Sequence, residues 1–193
     1  IVTPSDSRKG RGKQLKSCAV KEVGNKNNIP VLQPLTLKCD KFIKQLNEFK
    51  ADLFIVIAFK MLPELAWKIP NRGTINLHAS LLPKYRGAAP INRVLINGEK
   101  ETGITTFFIN KEIDTGKIIQ QEKVMLTNKT TAAQLHNMLM IKGNNLLIST
   151  LNLIENNSVK PIPQEEKDAI LKAPKLTKEL LKINWSKSAK EIH

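Results

Sequence analysis

An amide and an imidazole stand two residues apart at the end of an apolar run, in the segment Thr74-Ile75-Asn76-Leu77-His78. Side chains at positions i and i+2 of a β-strand point to the same face. Asn76 and His78 are therefore expected side by side, where the strand ends and a Leu-Leu-Pro turn begins. An amide can donate to an oxygen that gains negative charge, and an imidazole can hold or move a proton. The pair thus has the minimum equipment for acyl-type transfer.

Strands and helices alternate along the chain, which predicts the α/β class with an open, mostly parallel sheet and flanking helices. Ligands in such sheets bind beyond the carboxyl ends of the strands. His78 ends one predicted strand, and Asp114 follows another in the segment Ile113-Asp114-Thr115-Gly116. The apolar run at 52–59 shows no alternation, which predicts a strand covered on both faces. Strands are predicted at 1–3, 29–33, 52–59, 74–78, 103–109 and 117–126, and helices at 17–25, 40–49, 64–69, 90–97 and 130–156.

The length and composition narrow the class of protein. A chain of 193 residues can bury a sizeable core, and hydrophobic residues make up 41% of it. No apolar run approaches the roughly 20 residues that cross a bilayer, so no membrane association is expected. Cys18 and Cys39 form no disulfide or metal-ligand pattern, and no secretory signal is visible, so we expect a cytoplasmic, monomeric protein without a metal site.

The charge of the chain is strongly basic and concentrated near its beginning. The formal net charge is +14, a field that favours an anionic partner, nucleic acid above all. Residues 4–16 read as a polar loop in which Asp6 alone opposes the cations Arg8, Lys9, Arg11, Lys13 and Lys16. A solvated charged loop is the plainer interpretation of such a run.

Three motifs in order carry a resemblance to one known family. They are Asn-x-His-x-Ser-Leu-Leu-Pro-x-Tyr-Arg-Gly-Ala-Ala-Pro at 76–90, Glu-Thr-Gly-Ile-Thr at 101–105, and Asp-Thr-Gly at 114–116. From residue 2 to residue 192 the chain resembles methionyl-tRNA formyltransferases. The resemblance implies a Rossmann-like formyltransferase fold and transfer of a formyl group from 10-formyltetrahydrofolate to the amino group of methionyl initiator tRNA. It also implies that Asn76, His78 and Asp114 form the catalytic set.

The resemblance extends to binding residues and to domain organisation. Ser80, Leu81, Leu82 and Pro83 match the family segment that lines the tetrahydrofolate site, and the loop with Phe59, Met61 and Leu62 matches its pterin pocket. Arg8, Arg11 and Lys13 lie in a loop that resembles the family's insertion for gripping tRNA. Residues 1–156 are expected to form the catalytic domain, and residues 157–193 a linker and the start of a C-terminal domain. Relative to the family, the first strand-helix unit and the C-terminal barrel are expected to be missing.

Three alternatives stay open on the sequence. A related folate-dependent formyltransferase could act on an amino-sugar nucleotide, or on glycinamide ribonucleotide, whose enzymes have Pro where Ala79 stands. The chain could instead be an inactive basic remnant that binds tRNA. Asp114-Thr115-Gly116 also resembles an aspartic-protease triplet, but that chemistry needs a second carboxylate, and the triplet occurs once.

Overall fold

The computed structural model describes residues 1–9, 12, 14–165 and 171–192. The chain forms two compact units, one of residues 1–51 with 62–70, the other of residues 52–61 with the described residues from 71 onward. The elements in chain order are β1 (Ser7–Lys9), β2 (Gln14–Lys16), α1 (Ala19–Lys26), α2 (Asp40–Glu48), β3 (Phe54–Ile57), α3 (Glu64–Trp67), β4 (Thr74–His78), α4 (Pro90–Ile96), β5 (Glu101–Phe108), β6 (Ile118–Met125), α5 (Ala132–Glu155) and α6 (Ala189–Ile192).

The first unit is built on helices and one short hairpin. Phe42 and Leu46 form the buried face of α2, as the apolar spacing predicts. The predicted loop at 4–16 instead contains the antiparallel pair β1–β2, with Ser7 opposite Lys16. The predicted strand at 29–33 is reduced to a parallel bridge between Val2 and Leu32, because proline at positions 30 and 34 offers no amide hydrogen for a longer ladder.

The second unit contains a mixed four-stranded sheet in the order β3-β4-β5-β6. The α/β class is confirmed, and β3 and β4 are parallel as expected. The other two pairings, β4–β5 and β5–β6, are antiparallel, which differs from a mostly parallel sheet. The link from β5 to β6 holds only residues 109–117, too few for the crossover that a parallel pair requires.

The strand β3 is less buried than its unbroken apolar sequence suggests. Val56 is buried, but Ile55 is 44% and Ile57 is 52% exposed. β3 is the edge strand of the sheet, and in this unit α5 packs on β5 and β6 instead. The expectation of a strand covered on both faces is therefore wrong for the described residues.

The core of the second unit lies between α5 and the antiparallel half of the sheet. Along α5, Leu135, Leu139, Leu146 and Ile154 are buried, whereas Leu147 and Leu151 are only partly buried. Gly143 allows a close contact, since a Cβ there would lie 3.1 Å from Leu77 Cδ2 and 3.3 Å from Ile104 Cδ1. The cluster around it consists of Tyr85, Val94, Ile104, Val124, Leu126, Leu135, Leu139, Leu146 and Ala173.

The long helix α5 starts at a capping box. The Thr131 side chain accepts from Gln134 N, and the Gln134 side chain accepts from Thr131 N, an arrangement worth about 1 kcal/mol at a helix start. None of the helices in the described part of the chain has the length and hydrophobicity needed to span a bilayer. Those same residues contain no cluster of three or more metal-ligating side chains.

The hydrophobic cluster described above includes the phenol of Tyr85, a titratable group. Burial raises its pKa to about 12, and the hydrogen bond to Glu99 adds to the rise while the one from Asn97 lowers it. Because the folded pKa exceeds the unfolded value of about 10, this group stabilises the fold below pH 10. That contribution is lost as the pH rises toward 12.

We expect the tyrosinate absorbance of the folded chain to titrate with a midpoint near 12, against about 10 in denaturant. Tyr85 is the only tyrosine in the chain, so the signal belongs to it alone. Glu99→Gln should lower the midpoint by less than full unfolding does, since burial is the larger cause. A midpoint near 10 with an intact circular dichroism spectrum would contradict this assignment.

Candidate active site

The imidazole of His78 lies at the carboxyl end of β4 and is held in one orientation. Its side chain is almost fully buried, with 6% of the residue exposed. His78 Nε2 lies 2.9 Å from the backbone carbonyl oxygen of Tyr85. A carbonyl oxygen only accepts hydrogen bonds, so Nε2 carries a proton whether the ring is neutral or charged. Nδ1 is therefore the ring nitrogen whose proton can come and go.

The carboxylate of Asp114 lies on the Nδ1 side of this ring. The distance from His78 Nδ1 to Asp114 Oδ2 is 3.7 Å, an ion-pair contact between a buried and a partly buried side chain when the ring is charged. Asp114 Oδ2 also accepts a hydrogen bond of 2.9 Å from Gly87 N. The structure thus brings together two residues that lie 36 positions apart (78 and 114). The titratable side chain that the structure places against the Asp114 carboxylate is an imidazole and not a second carboxylate, which argues against protease chemistry.

Asn76 shares a face of β4 with His78, as the strand alternation predicts. Its Oδ1 atom is buried and has no hydrogen-bond partner among the described residues. A buried acceptor without a partner costs about 1–3 kcal/mol. Such an atom next to His78 marks this strand end as a place for a polar ligand.

Tyr85 contributes through its backbone, which sequence reasoning missed. Its φ is +61°, a left-handed conformation that is unusual for an aromatic residue. The phenol donates to Glu99 Oε1 at 2.7 Å and accepts from Asn97 Nδ2 at 2.9 Å. Because the buried ring and these bonds fix the residue, its carbonyl is fixed toward His78. A backbone carbonyl has no residue type of its own, so no sequence pattern could have revealed this role.

The turn after His78, residues 80–83, is hydrogen-bonded to strand β5 of the sheet. Ser80 is fully buried and donates to Lys84 O at 2.7 Å, so its hydroxyl closes the turn. Thr105 of β5 donates to Ser80 O and accepts from Leu82 N. The peptide bond between Leu82 and Pro83 is cis. Leu81, Leu82 and Pro83 line a surface cavity together with Lys84, Tyr85, Glu99, Glu101 and Thr102.

The other predicted folate residues follow β3. In the parallel ladder Ile57 pairs with Leu77, so the carboxyl ends of β3 and β4 lie side by side. Phe59 and Met61 follow this end of β3 in the same unit. Phe59 is partly buried, and Met61 is 68% exposed. Leu62 is partly buried and belongs to the first unit.

Of the predicted tRNA-binding residues, the structure describes one, which lies on the β1–β2 hairpin. Arg8 is exposed on β1, opposite Leu15 of β2. Arg11 and Lys13 lie outside the described residues. Asp6, the one acid of this segment, is bound to Lys21 at 2.8 Å and accepts from Gln33, and the hydrogen bond from Lys21 is the main cause that lowers its pKa. The Asp6 carboxylate is thus bound by two side chains of the first unit.

Gln164 joins the site from a distant part of the sequence and was also missed. Its amide accepts from Arg86 and donates to the carbonyls of Asp114 and Gly116. These contacts tie Arg86, in the loop after His78, to the turn of Asp114. A glutamine in a polar, proline-rich segment carries no signal of such a contact.

Similarity to known proteins agrees with this geometry. A family model described as formyl transferase matches residues 1–151. The methionyl-tRNA formyltransferase of Flavobacterium johnsoniae is 49% identical over 193 residues, covering 100% of this chain and 61% of that protein. The methionyl-tRNA formyltransferase of Bacteroides thetaiotaomicron is 47% identical over 196 residues, with the same coverage of 100% and 61%. The chain therefore spans about three fifths of the length of these relatives.

A solved structure shows the same architecture at lower sequence identity. It is the formyltransferase PseJ from Anoxybacillus kamchatkensis, in complex with UDP-4,6-dideoxy-4-formamido-L-AltNAc and tetrahydrofolate. It aligns with a TM-score of 0.59 and 25% identity over 76% of each chain. With most of its length matched by the family model, and with the polar strand end of β4 facing Asp114, the chain belongs to the formyl transferase family.

Proposed function

We propose that this protein transfers a formyl group from 10-formyltetrahydrofolate to the amino group of methionyl initiator tRNA, for translation initiation. The observation that carries the proposal is the His78 ring, whose Nε2 is bound to a carbonyl and whose Nδ1 faces Asp114. The relatives that are 47% and 49% identical over the whole chain are named for this reaction. We further propose that the protein is a cytoplasmic monomer.

His78 and Asn76 can supply a proton and a hydrogen-bond donor at the carboxyl end of β4. With Nε2 committed to Tyr85, a neutral His78 accepts a proton at Nδ1, and a charged His78 donates from Nδ1. The carboxylate of Asp114 lies 3.7 Å from Nδ1. The side-chain amide of Asn76, on the same strand face, donates to an oxygen that gains negative charge. One such donor in a water-excluded site is worth about 2.7–4 kcal/mol.

The turn at 80–83 and the strand end next to it fit a folate donor. 10-Formyltetrahydrofolate supplies the formyl group when bound. Leu81 and Pro83 are partly exposed on a turn whose backbone is fixed by Thr105, and Phe59 and Met61 add apolar surface at the same sheet edge. The partnerless Oδ1 of Asn76 offers a buried acceptor beside His78. We propose Ser80, Leu81, Leu82, Pro83, Phe59 and Met61 as the residues of the second unit that form or support this site.

The net charge and the basic hairpin support a tRNA acceptor over a small amine. The chain carries 31 Lys and Arg residues against 17 Asp and Glu residues. Arg8 is exposed, and the Asp6 carboxylate that precedes it is already bound to Lys21, a cation outside the hairpin. Exposed Arg and Lys side chains are the usual contacts to phosphates. We propose that Arg8, Arg11 and Lys13 contact the tRNA backbone. The competing acceptor, an amino-sugar nucleotide, would need none of them.

One prediction of the proposed function concerns catalysis. Asn76→Ala should lower kcat by about 10²–10³-fold, since one donor to the charged oxygen is removed. His78→Ala should lower it at least as much, with tRNA binding largely intact in both variants. The assay follows formyl transfer to methionyl-tRNA in the full chain, with binding of tetrahydrofolate and tRNA measured separately.

The matched control is His136→Ala, which removes an exposed histidine of α5 and should leave turnover unchanged. Normal turnover of His78→Ala would refute the assigned roles. Turnover with an amino-sugar nucleotide but not with methionyl-tRNA would establish the alternative acceptor. Binding of tRNA without any binding of folate would identify a remnant without activity.

Another prediction of the proposed function concerns the basic hairpin. Arg11→Ala and Arg8→Ala should raise the tRNA concentration needed for half-maximal rate, while kcat at saturation stays near wild type. Each lost phosphate contact should reduce the slope of log affinity against log salt concentration by about 1. The control is Lys129→Ala, an exposed cation of the other unit, which should leave the slope unchanged. Equal salt slopes for all these variants would exclude the hairpin as a phosphate contact.

A further inference from the structure

The side-chain amide of Gln164 is fully used in contacts around Asp114. Its Nε2 donates to Asp114 O at 2.9 Å and to Gly116 O at 2.7 Å. Its Oε1 accepts from Arg86 Nε at 3.0 Å and from a terminal nitrogen of Arg86 at 2.7 Å. An amide group offers two donor hydrogens and two acceptor lone pairs, so all four positions are filled. One side chain thus connects the turn of Asp114 to the loop that follows His78.

The backbone of Asp114 needs such support. Its φ is +55°, a left-handed conformation that costs about 1–3 kcal/mol in a residue other than glycine. The contact to Gln164 fixes the carbonyl of this residue, and the bond from Gly87 N fixes its carboxylate. Because Gly87 follows Arg86 directly, both ends of Asp114 are tied to the same short stretch of loop. The separation of Asp114 Oδ2 from His78 Nδ1 depends on these ties.

The segment that carries Gln164 is itself anchored to the site. Ile162 exchanges two backbone hydrogen bonds of 2.8 Å with Ile118, the first residue of β6. Farther along, Ala173 N donates to Arg86 O at 2.8 Å, and Gly87 packs so tightly there that a Cβ would lie 2.5 Å from Ala173 O. Ile162, Gln164 and Ala173 lie beyond the part of the chain matched by the family model, which ends at residue 151. A part of the predicted linker is therefore built into the site.

We propose that Gln164 is a positioning residue that acts through Asp114 and Arg86 to hold the carboxylate against His78 Nδ1. The inference deepens the proposed formyl transfer and rests on it. Gln164 is not placed in contact with a reacting atom, so its removal should change the rate of the chemical step and not the binding of either substrate. A purely structural glutamine would instead alter stability and leave the imidazole unchanged.

Two substitutions separate these roles. Gln164→Met keeps the approximate length and removes all four hydrogen bonds. Gln164→Glu keeps an acceptor for Arg86 but cannot donate to the carbonyls of Asp114 and Gly116. Both variants should lower kcat by roughly tenfold to a hundredfold, since a misplacement of about 1 Å costs up to about 10²-fold. The KM values for folate donor and tRNA should stay within about twofold.

The control is Gln120→Met, which removes hydrogen bonds to Ser149 and Thr150 on the other side of β6. It should lower the thermal midpoint at most and leave kcat unchanged. If Gln164→Glu has normal kcat while Gln164→Met does not, the Arg86 contact alone matters and positioning through Asp114 is wrong.

A second readout does not require activity. The ring resonances of His78, identified by their loss in His78→Ala, should shift in both Gln164 variants of the full chain, while those of His136 stay in place. Unchanged His78 resonances together with a lower thermal midpoint would overturn the proposal. If the wild-type chain transfers no formyl group to any acceptor, the proposed function fails, and the resonances still decide whether Gln164 positions Asp114.

Discussion

The hydrogen bond between His78 Nε2 and the carbonyl of Tyr85 is the constraint on which the site depends. It commits one ring nitrogen to a permanent acceptor and thereby directs the other toward Asp114. Without it the ring could rotate, and the same two residues would offer no defined point for a proton. The chemistry thus follows from one backbone carbonyl, and the rest of the local structure serves to keep that carbonyl in place.

Several independent contacts hold the Tyr85 carbonyl. The residue is left-handed at φ +61°, its ring is in the core, and its backbone amide donates to Leu171 O at 2.6 Å. The phenol is bound to Glu99 and Asn97, which lie just past the end of α4. A strained backbone persists only when its surroundings determine it from several sides. The site is therefore coupled to the packing of the core.

The predictions from the sequence agree with the structure where side-chain type and strand periodicity carry the information. The strand Thr74–His78 has the predicted bounds, and alternation along it predicted the common face of Asn76 and His78. The unbroken apolar run at 52–59 led to the wrong prediction of a strand covered on both faces, because its composition cannot show that β3 is an edge strand. The roles of the Tyr85 carbonyl and of Gln164 depend on tertiary contacts over 7 and 50 positions along the chain, and neither residue type announces them.

The most direct test is the tautomer of the neutral His78 ring in the full chain, observed by heteronuclear NMR of labelled imidazole nitrogens. We expect the neutral ring to keep its proton on Nε2, bound to the Tyr85 carbonyl, and to leave Nδ1 unprotonated. A neutral ring protonated on Nδ1, with Nε2 free, would contradict it.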